Sequence, residues 1–240
     1  MKAIILAAGV GKRLFPLTQQ TPKCLIPFNR KPLLQYYFEF LKNLKIDSIV
    51  LVVGYMREKV ESFAGQNWNG IPVRYYQSPD IHGGSLLSLW SARSEMDDNV
   101  LIMDADVFYP EAMLVRLVKS AKPNCFLSDP SSPNTGEEQV LYAVNERVFF
   151  ISKKPYSQPD QKPIGESVGF LKLSKAAAIE EKKVLEEFVD AGKKGIEHEE
   201  TYPTLMQRVV IGFEPVDDMK WTEIDSKEDV ELAQQLAATR

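Results

Sequence analysis

At 240 residues the chain is long enough for one large α/β domain or two small ones. Its 44% hydrophobic and 26% charged content excludes a disordered or fibrous chain, and a formal net charge of −4 excludes an overall basic field for nucleic acid or an anionic membrane. Two cysteines, Cys24 and Cys125, argue against a disulfide framework and suit a reducing cytosol, and no stretch approaches the ~20 apolar residues of a membrane span.

The first strand is predicted at Ala3-Ile4-Ile5-Leu6-Ala7-Ala8, too short and too soon broken by glycine to be a signal peptide. Pro32 is placed as the first residue of a helix carrying Leu33, Leu34, Tyr37, Phe38, Leu41 and Leu44. Residues 48–53 read as a buried strand ended by Gly54, residues 55–64 as a short helix, and 73–77 as a third strand. A helix from Ser85 to Arg93 and a strand at 100–103 follow, and Pro110-Glu111 opens the next helix. This alternation predicts an α/β fold with a parallel, doubly wound sheet and ligands at the carboxyl ends of its strands.

The second half changes character. Residues 121–136, with Pro123, Pro130 and Pro133, predict a long turn, and 138–152 a hairpin split at Asn145-Glu146. A loop is expected over 153–165, marked by Pro155, Pro159 and Pro163. A strand at 167–173, a long amphipathic helix at 174–191, a helix around 199–209 and a strand at 209–216 complete the pattern. The terminal helix starts at Ser226, where Ser226 and Asp229 have the spacing of a capping box. With no repeat and no linker, the expectation is a single domain over 1–240, in which residues 1–120 form the alternating half, 121–220 a covering β/α insertion and 221–240 a short acidic segment with the last helix.

Chemistry concentrates at four places. Gly9-Val10-Gly11-Lys12-Arg13 breaks the first strand into a glycine-rich turn with cations, suited to a polyphosphate but equally to a tight turn alone. Arg13 after Lys12 excludes Walker A, and Leu14 takes the place of the dinucleotide motif's third glycine. Asp104-Ala105-Asp106 follows the fourth strand, and alternation puts both carboxylates on one side, as a hard divalent cation needs. Glu223-Ile224-Asp225 is a second acidic element before the last helix, where Asp225 either favours the helix dipole or serves a site. Glu166, Glu199, Glu200 and Tyr202 in the covering half offer carboxylates and an aromatic face to a cationic group, or else form a charged helix start and core. His82 and His198 fit no metal-ligand spacing.

Leu6-Ala7-Ala8-Gly9-Val10-Gly11-Lys12-Arg13-Leu14-Phe15-Pro16-Leu17-Thr18, followed by Thr21-Pro22-Lys23, resembles the signature loop of the nucleotidyltransferases, which include sugar-1-phosphate nucleotidyltransferases and bacterial phosphocholine cytidylyltransferases. The resemblance implies a Rossmann-like, GT-A-type fold with a mixed, mostly parallel sheet, and an Mg²⁺-dependent reaction of CTP or another NTP with a phosphorylated small molecule in the cytoplasm. It implies nucleotide binding by Leu6, Ala7, Ala8, Gly9, Gly11, Lys12, Arg13 and Lys23, with Arg13 and Lys23 as catalytic cations and Asp104 alongside. Base recognition falls on Gln77 and on Gly84-Ser85, and metal binding on Asp106 and Asp225. Lys154 matches the lysine of a Glu-Lys-Pro acceptor motif, but Lys153 replaces its glutamate and turns the expectation away from a sugar. The acceptor pocket is expected from Glu166, Glu199, Glu200 and Tyr202, with neither nucleic acid nor membrane insertion involved and a monomer or homodimer as the functional unit.

Overall fold

Alternating apolar side chains make the first strand a two-faced element. In the computed structural model, which describes residues 1–132, 136, 138–154 and 162–239, β1 (Lys2–Ala7) sends Ala3, Ile5 and Ala7 into one core layer and Ile4 and Leu6 into the other. β2 (Ser48–Val53) and β4 (Val100–Asp104) divide their side chains the same way, so the sheet centre is buried on both faces. Each buried Val, Leu, Ile or Met side chain of these strands contributes about 1.5–3 kcal/mol. The helices that cover these faces are amphipathic: α1 (Leu33–Asn43) buries Leu33, Leu34, Tyr37, Phe38 and Leu41.

The other elements are α2 (Arg57–Ala64), β3 (Ile71–Gln77), α3 (Leu86–Ser91), α4 (Glu111–Lys119), β5 (Cys125–Asp129), β6 (Val140–Val144), β7 (Arg147–Ser152), β8 (Pro163–Leu173), α5 (Lys175–Asp190), α6 (Tyr202–Arg208), β9 (Gly212–Pro215) and α7 (Lys227–Ala238). β4, β1, β2 and β3 lie parallel in that order. β8 joins β4 antiparallel and also carries β6 and β5, with β7 beyond β6 and β9 parallel to β5. The result is a mixed, mostly parallel doubly wound centre with an antiparallel extension over one end, as expected.

Three expectations need correction. The long turn over 121–136 contains β5, a fully buried strand that its flanking Pro123 and Pro130 conceal, because burial between β8 and β9 outweighs the local turn signals. Pro32 is not helical: with φ −53 and ψ 143 it precedes the helix and pairs in a two-residue ladder with Pro27. Strand β8 begins at Pro163, four residues before the expected start, since Pro163, Gly165 and Glu166 pair with β6. The loop positions Pro155 and Pro159 and the turn position Pro133 lie outside the described residues.

Candidate active site

The glycine-rich loop is built by its own hydrogen bonds. After β1, three 3₁₀ turns at Lys12–Leu14, Leu17–Gln19 and Lys23–Leu25 curl the chain over the strand ends. Gly11 opens the first turn at φ 64, where a side chain would be strained and would come within 3.2 Å of Thr18. Thr18 Oγ1 donates to Gly11 O at 2.7 Å, and Tyr55 Oη donates to Thr18 O at 3.1 Å. This folding brings Lys12, Arg13 and Lys23 onto one wall of a cavity of about 500 Å³ at the carboxyl ends of the strands. Leu6, Ala7, Ala8, Gly9 and Gly11 line the same wall.

A second set of contacts holds the acids. Tyr37, fully buried on α1, accepts from Val107 N at 3.0 Å and lies 2.8 Å from Asp104 O and 2.9 Å from Val107 O, so it pins the turn that carries Asp104 and Asp106. Val107–Phe108 pairs with Thr222–Glu223, and Ile224 N donates to Asp106 O at 2.8 Å, which brings the C-terminal acids beside Asp106. Both halves of the Ser226–Asp229 capping box form, and Asp225 N also donates to Asp229 Oδ2 at 3.0 Å. Carboxylate atoms of Asp106, Glu223 and Asp225 thereby lie within 4.8 Å of one another.

Two cations answer these three acids. Lys23 Nζ donates to Asp106 Oδ2 and Asp225 Oδ1, both at 2.7 Å, and an Arg13 guanidinium nitrogen is 2.6 Å from Asp225 Oδ2. Burial alone would lower the Lys23 ammonium's pKa, but Asp106 and Asp225 outweigh it and the net shift is upward. Burial likewise opposes ionisation of Asp225, yet Lys23 and Arg13 hold it below the usual carboxylate range. Glu223 is exposed to the cavity but walled in by it; desolvation and the facing Asp106 and Asp225 push its carboxyl up to about 9. Asp106 Oδ1 is buried with no partner among the described residues. An all-oxygen donor set of three converging carboxyl groups, one of them with an unpartnered oxygen, fits a hard divalent cation such as Mg²⁺.

Asp104 and Asp106 both line the cavity, each grouped with different neighbours. A turn at 105–106 follows the end of β4, so Asp104 faces His198 and Glu199 instead, with their ligand-capable atoms within 4.8 Å of one another. Sequence reasoning missed this role for His198, and it passed over Glu223 and Tyr37 as site residues. Alternation from Asp225 back to Glu223 was a usable signal; nothing local marked Tyr37.

The remaining expected residues divide. Gly84, Ser85, Glu166 and Glu199 line the cavity. Ser85 does not offer a free N–H, because the Glu197 carboxylate accepts from its amide at 3.0 Å and from its hydroxyl at 2.5 Å. Burial, with Glu138 and Asp129 nearby, pushes the Glu166 carboxyl up to about 7, although Ser132 donates to it. Gln77 lies outside the lining and accepts from Arg57 at 2.8 Å. Glu200 closes a capping box on Glu197, Tyr202 is 2% exposed in the core, and Lys153 lines the cavity where Lys154 does not.

The sequence profile of a family described as nucleotidyl transferase matches residues 2–126, which carry the loop, β4 and the Asp104–Asp106 turn. The chain belongs to that family. Among curated relatives, a CMP-5'-(3-aminopropyl)phosphonate synthase of Streptomyces rubellomurinus is 33% identical over 57% of this chain and 22% of its own length. A choline-phosphate cytidylyltransferase of Streptococcus pneumoniae is 54% identical over 25% of this chain and 27% of its own length. The chain thus spans well under half the length of these two relatives. A solved CTP:phosphocholine cytidylyltransferase from Streptococcus pneumoniae shares the fold, with a TM-score of 0.78 at 24% identity over 98% of both chains. Nucleotidyltransferases of this family generally use a divalent metal, and the Asp106, Glu223 and Asp225 group has the donors for one. No helix among the described residues of this nucleotidyltransferase is long and apolar enough to cross a membrane.

Proposed function

We propose that this chain is an Mg²⁺-dependent cytidylyltransferase of the cytoplasm. It joins CTP to a phosphorylated small alcohol or a phosphonate, of the phosphocholine, phosphoethanolamine or 2-aminoethylphosphonate kind. The observation that carries this reading is the division of charge in one cavity. Lys12, Arg13 and Lys23 face it from the loop, while the covering half turns four carboxyl groups toward it, Glu138, Glu166, Glu197 and Glu199, against one cation, Lys153. A zwitterionic acceptor, with its phosphate toward the triphosphate and its ammonium away from it, matches that division; a sugar phosphate has no cation to offer. The names of the two curated relatives support the same acceptor chemistry.

In this reading an oxygen of the acceptor's phosphate or phosphonate attacks the α-phosphorus of CTP. The new P–O bond forms as the bond from the α-phosphorus to the bridging oxygen of the β-phosphate breaks, and pyrophosphate leaves with that electron pair. Positioning and charge neutralisation supply most of the catalysis, with no covalent intermediate. Lys23 and Arg13 turn from the carboxylates to the phosphate oxygens, and Tyr37 keeps Asp104 and Asp106 in register. When bound, the metal neutralises phosphate charge; Asp106 and Asp225 would hold it, with Glu223 beside them.

Pyrophosphate release measured over a grid of nucleoside triphosphates and acceptors tests this. CTP with an amine-bearing phosphate or phosphonate is the expected pair. Turnover confined to UTP or dTTP with glucose-1-phosphate would replace the reading with a sugar-1-phosphate uridylyl- or thymidylyltransferase. Nucleotide binding with no pyrophosphate from any pair would point to a non-catalytic regulatory module.

A further inference from the structure

Ser85, just before α3, commits every hydrogen-bonding position of its hydroxyl to one turn of the covering half. A hydroxyl has one proton and two lone pairs. The proton goes to Glu197, whose Oε2 lies 2.5 Å from Ser85 Oγ and also accepts from Ser85 N at 3.0 Å. His198 N donates to one lone pair at 2.9 Å, and His198 Nδ1 lies 2.9 Å from the same oxygen. With the hydroxyl proton on Glu197, that second contact places the ring proton on Nδ1. Around Ser85 the two backbones meet. Leu86 N donates to Ile196 O at 3.1 Å, and Gly84, at φ 77, passes so close that a side chain there would collide with the same carbonyl. Glu197, His198 and Glu199 line one wall of the cavity, and Asp80, Gly84 and Ser85 line another. The ladder between β4 and β8 stops at Met103 and Phe170, short of the cavity, so at the level of the cavity the Ser85 contact joins the two halves.

We propose that Ser85 is a positioning residue and not a nucleotide contact. Through Glu197 and His198 it holds the 3₁₀ turn His198–Thr201 in register with the segment that carries Asp80 and Gly84. This rests on the family's nucleotidyl transfer and not on the identity of base or acceptor. To meet a nucleotide, the hydroxyl would have to leave a His198 amide and a ring nitrogen whose side chain is 3% exposed, and stranding such groups is costly. Nucleotidyl transfer needs two anionic substrates aligned in one cavity, and a wall misplaced by ~1 Å costs up to ~100-fold in rate. Thr201 holds the same turn from beneath, with Oγ1 2.6 Å from His198 O and 2.7 Å from Glu181 Oε1. Loss of the Ser85 contact should therefore shift the turn without unfolding it.

The intact protein is assayed with Mg²⁺, CTP and phosphoethanolamine, or with UTP and glucose-1-phosphate should only that pair turn over. Ser85→Ala should lower kcat by ~10-fold or more at saturation, while affinity for the nucleotide alone, by calorimetry, changes less than about threefold. Amides of 196–200 should exchange with deuterium at least ~10-fold faster in that variant. Ser85→Thr keeps the hydroxyl on a backbone at φ −100 and ψ −8, open to a β-branched residue, and should recover kcat to within about threefold. Glu197→Ala breaks the contact from the other side and carries the test if Ser85→Ala does not fold. The double variant should be at most about threefold worse than the worse single one. A ~10-fold loss of nucleotide affinity with kcat unchanged would make Ser85 a nucleotide contact and overturn the proposal. Unaltered kcat and exchange in Ser85→Ala, or multiplied effects in the double variant, would overturn it too. Turnover on the sugar pair alone would remove only the cytidylyltransferase reading; no turnover with any pair would remove the reaction and this proposal together.

Discussion

Lys23 donates to Asp106 at 2.7 Å and so places its ammonium between the carboxylates suited to a metal. Its second contact, to Asp225, is also 2.7 Å, and the Lys23 side chain is only 14% exposed. Without nucleotide, the lysine is the counter-ion that lets these acids remain charged side by side. A metal bound by these acids would compete with the lysine for the same oxygens. Lys23→Met should strengthen Mn²⁺ binding to the nucleotide-free protein by ~10-fold or more, read by electron paramagnetic resonance. The same change should lower kcat by ~100-fold, in line with the loss of one preorganised charge donor. Unchanged Mn²⁺ affinity would separate Lys23 from the metal site.

Asp106→Asn and Asp225→Asn should each lower turnover by ~100-fold or more while the protein stays folded. Groups that act as a unit are non-additive, so the double variant should be little worse than either single one. Near-normal kcat with Mg²⁺ in either variant would remove that carboxylate from the site.

Tyr37 has no access to substrate, so its effect is positional. Tyr37→Phe leaves the Val107 amide and the Asp104 carbonyl without the hydroxyl they share. The stability loss should be about 1–3 kcal/mol by urea titration, the cost of stranding buried polar groups. Turnover should fall with it, because Asp104 and Asp106 flank the loosened turn. A stable variant with full activity would show that the turn holds itself.

Glu181 offers a pH test. Thr201 Oγ1 lies 2.7 Å from Glu181 Oε1 and 2.6 Å from His198 O, yet it has one hydrogen, and a carbonyl can only accept. The carboxyl must therefore carry the proton and donate to Thr201. Burial pushes its pKa up from 4.5 to about 8, and Oε2 has no partner among the described residues. Between those values the folded state binds more protons than the unfolded state, so stability falls as pH rises through the window. The loss should reach a few kcal/mol, because each tenfold difference in proton affinity between the folded and unfolded states is worth about 1.4 kcal/mol. Glu181→Gln should remove that slope from denaturation curves taken at pH 5 and pH 8. An identical slope in the variant would assign the pH dependence elsewhere.

The sequence by itself determined whatever depends on near neighbours. The apolar run of β1, the glycine turn, the β/α alternation and the Ser226–Asp229 cap are set by side-chain period, glycine freedom and hydrogen bonds spanning a few residues. Asp106 and Asp225 each follow an apolar segment, and it is the resemblance to the nucleotidyltransferases that implies them as a metal pair. Only the tertiary structure decided which groups meet. β5 is a strand because β8 and β9 bury it, against the prolines around it. Lys23 reaches Asp225 across 202 residues because the Val107–Phe108 and Thr222–Glu223 ladder sets the last acids beside the first turn. Asp104 and Asp106, two apart in the chain, part company at a turn and serve different neighbours. Glu200 became a cap and Tyr202 core, while His198, which matched no spacing, arrived beside Asp104. Local patterns fix conformation; long-range contacts are set by burial and packing of whole elements, which no short window of sequence contains.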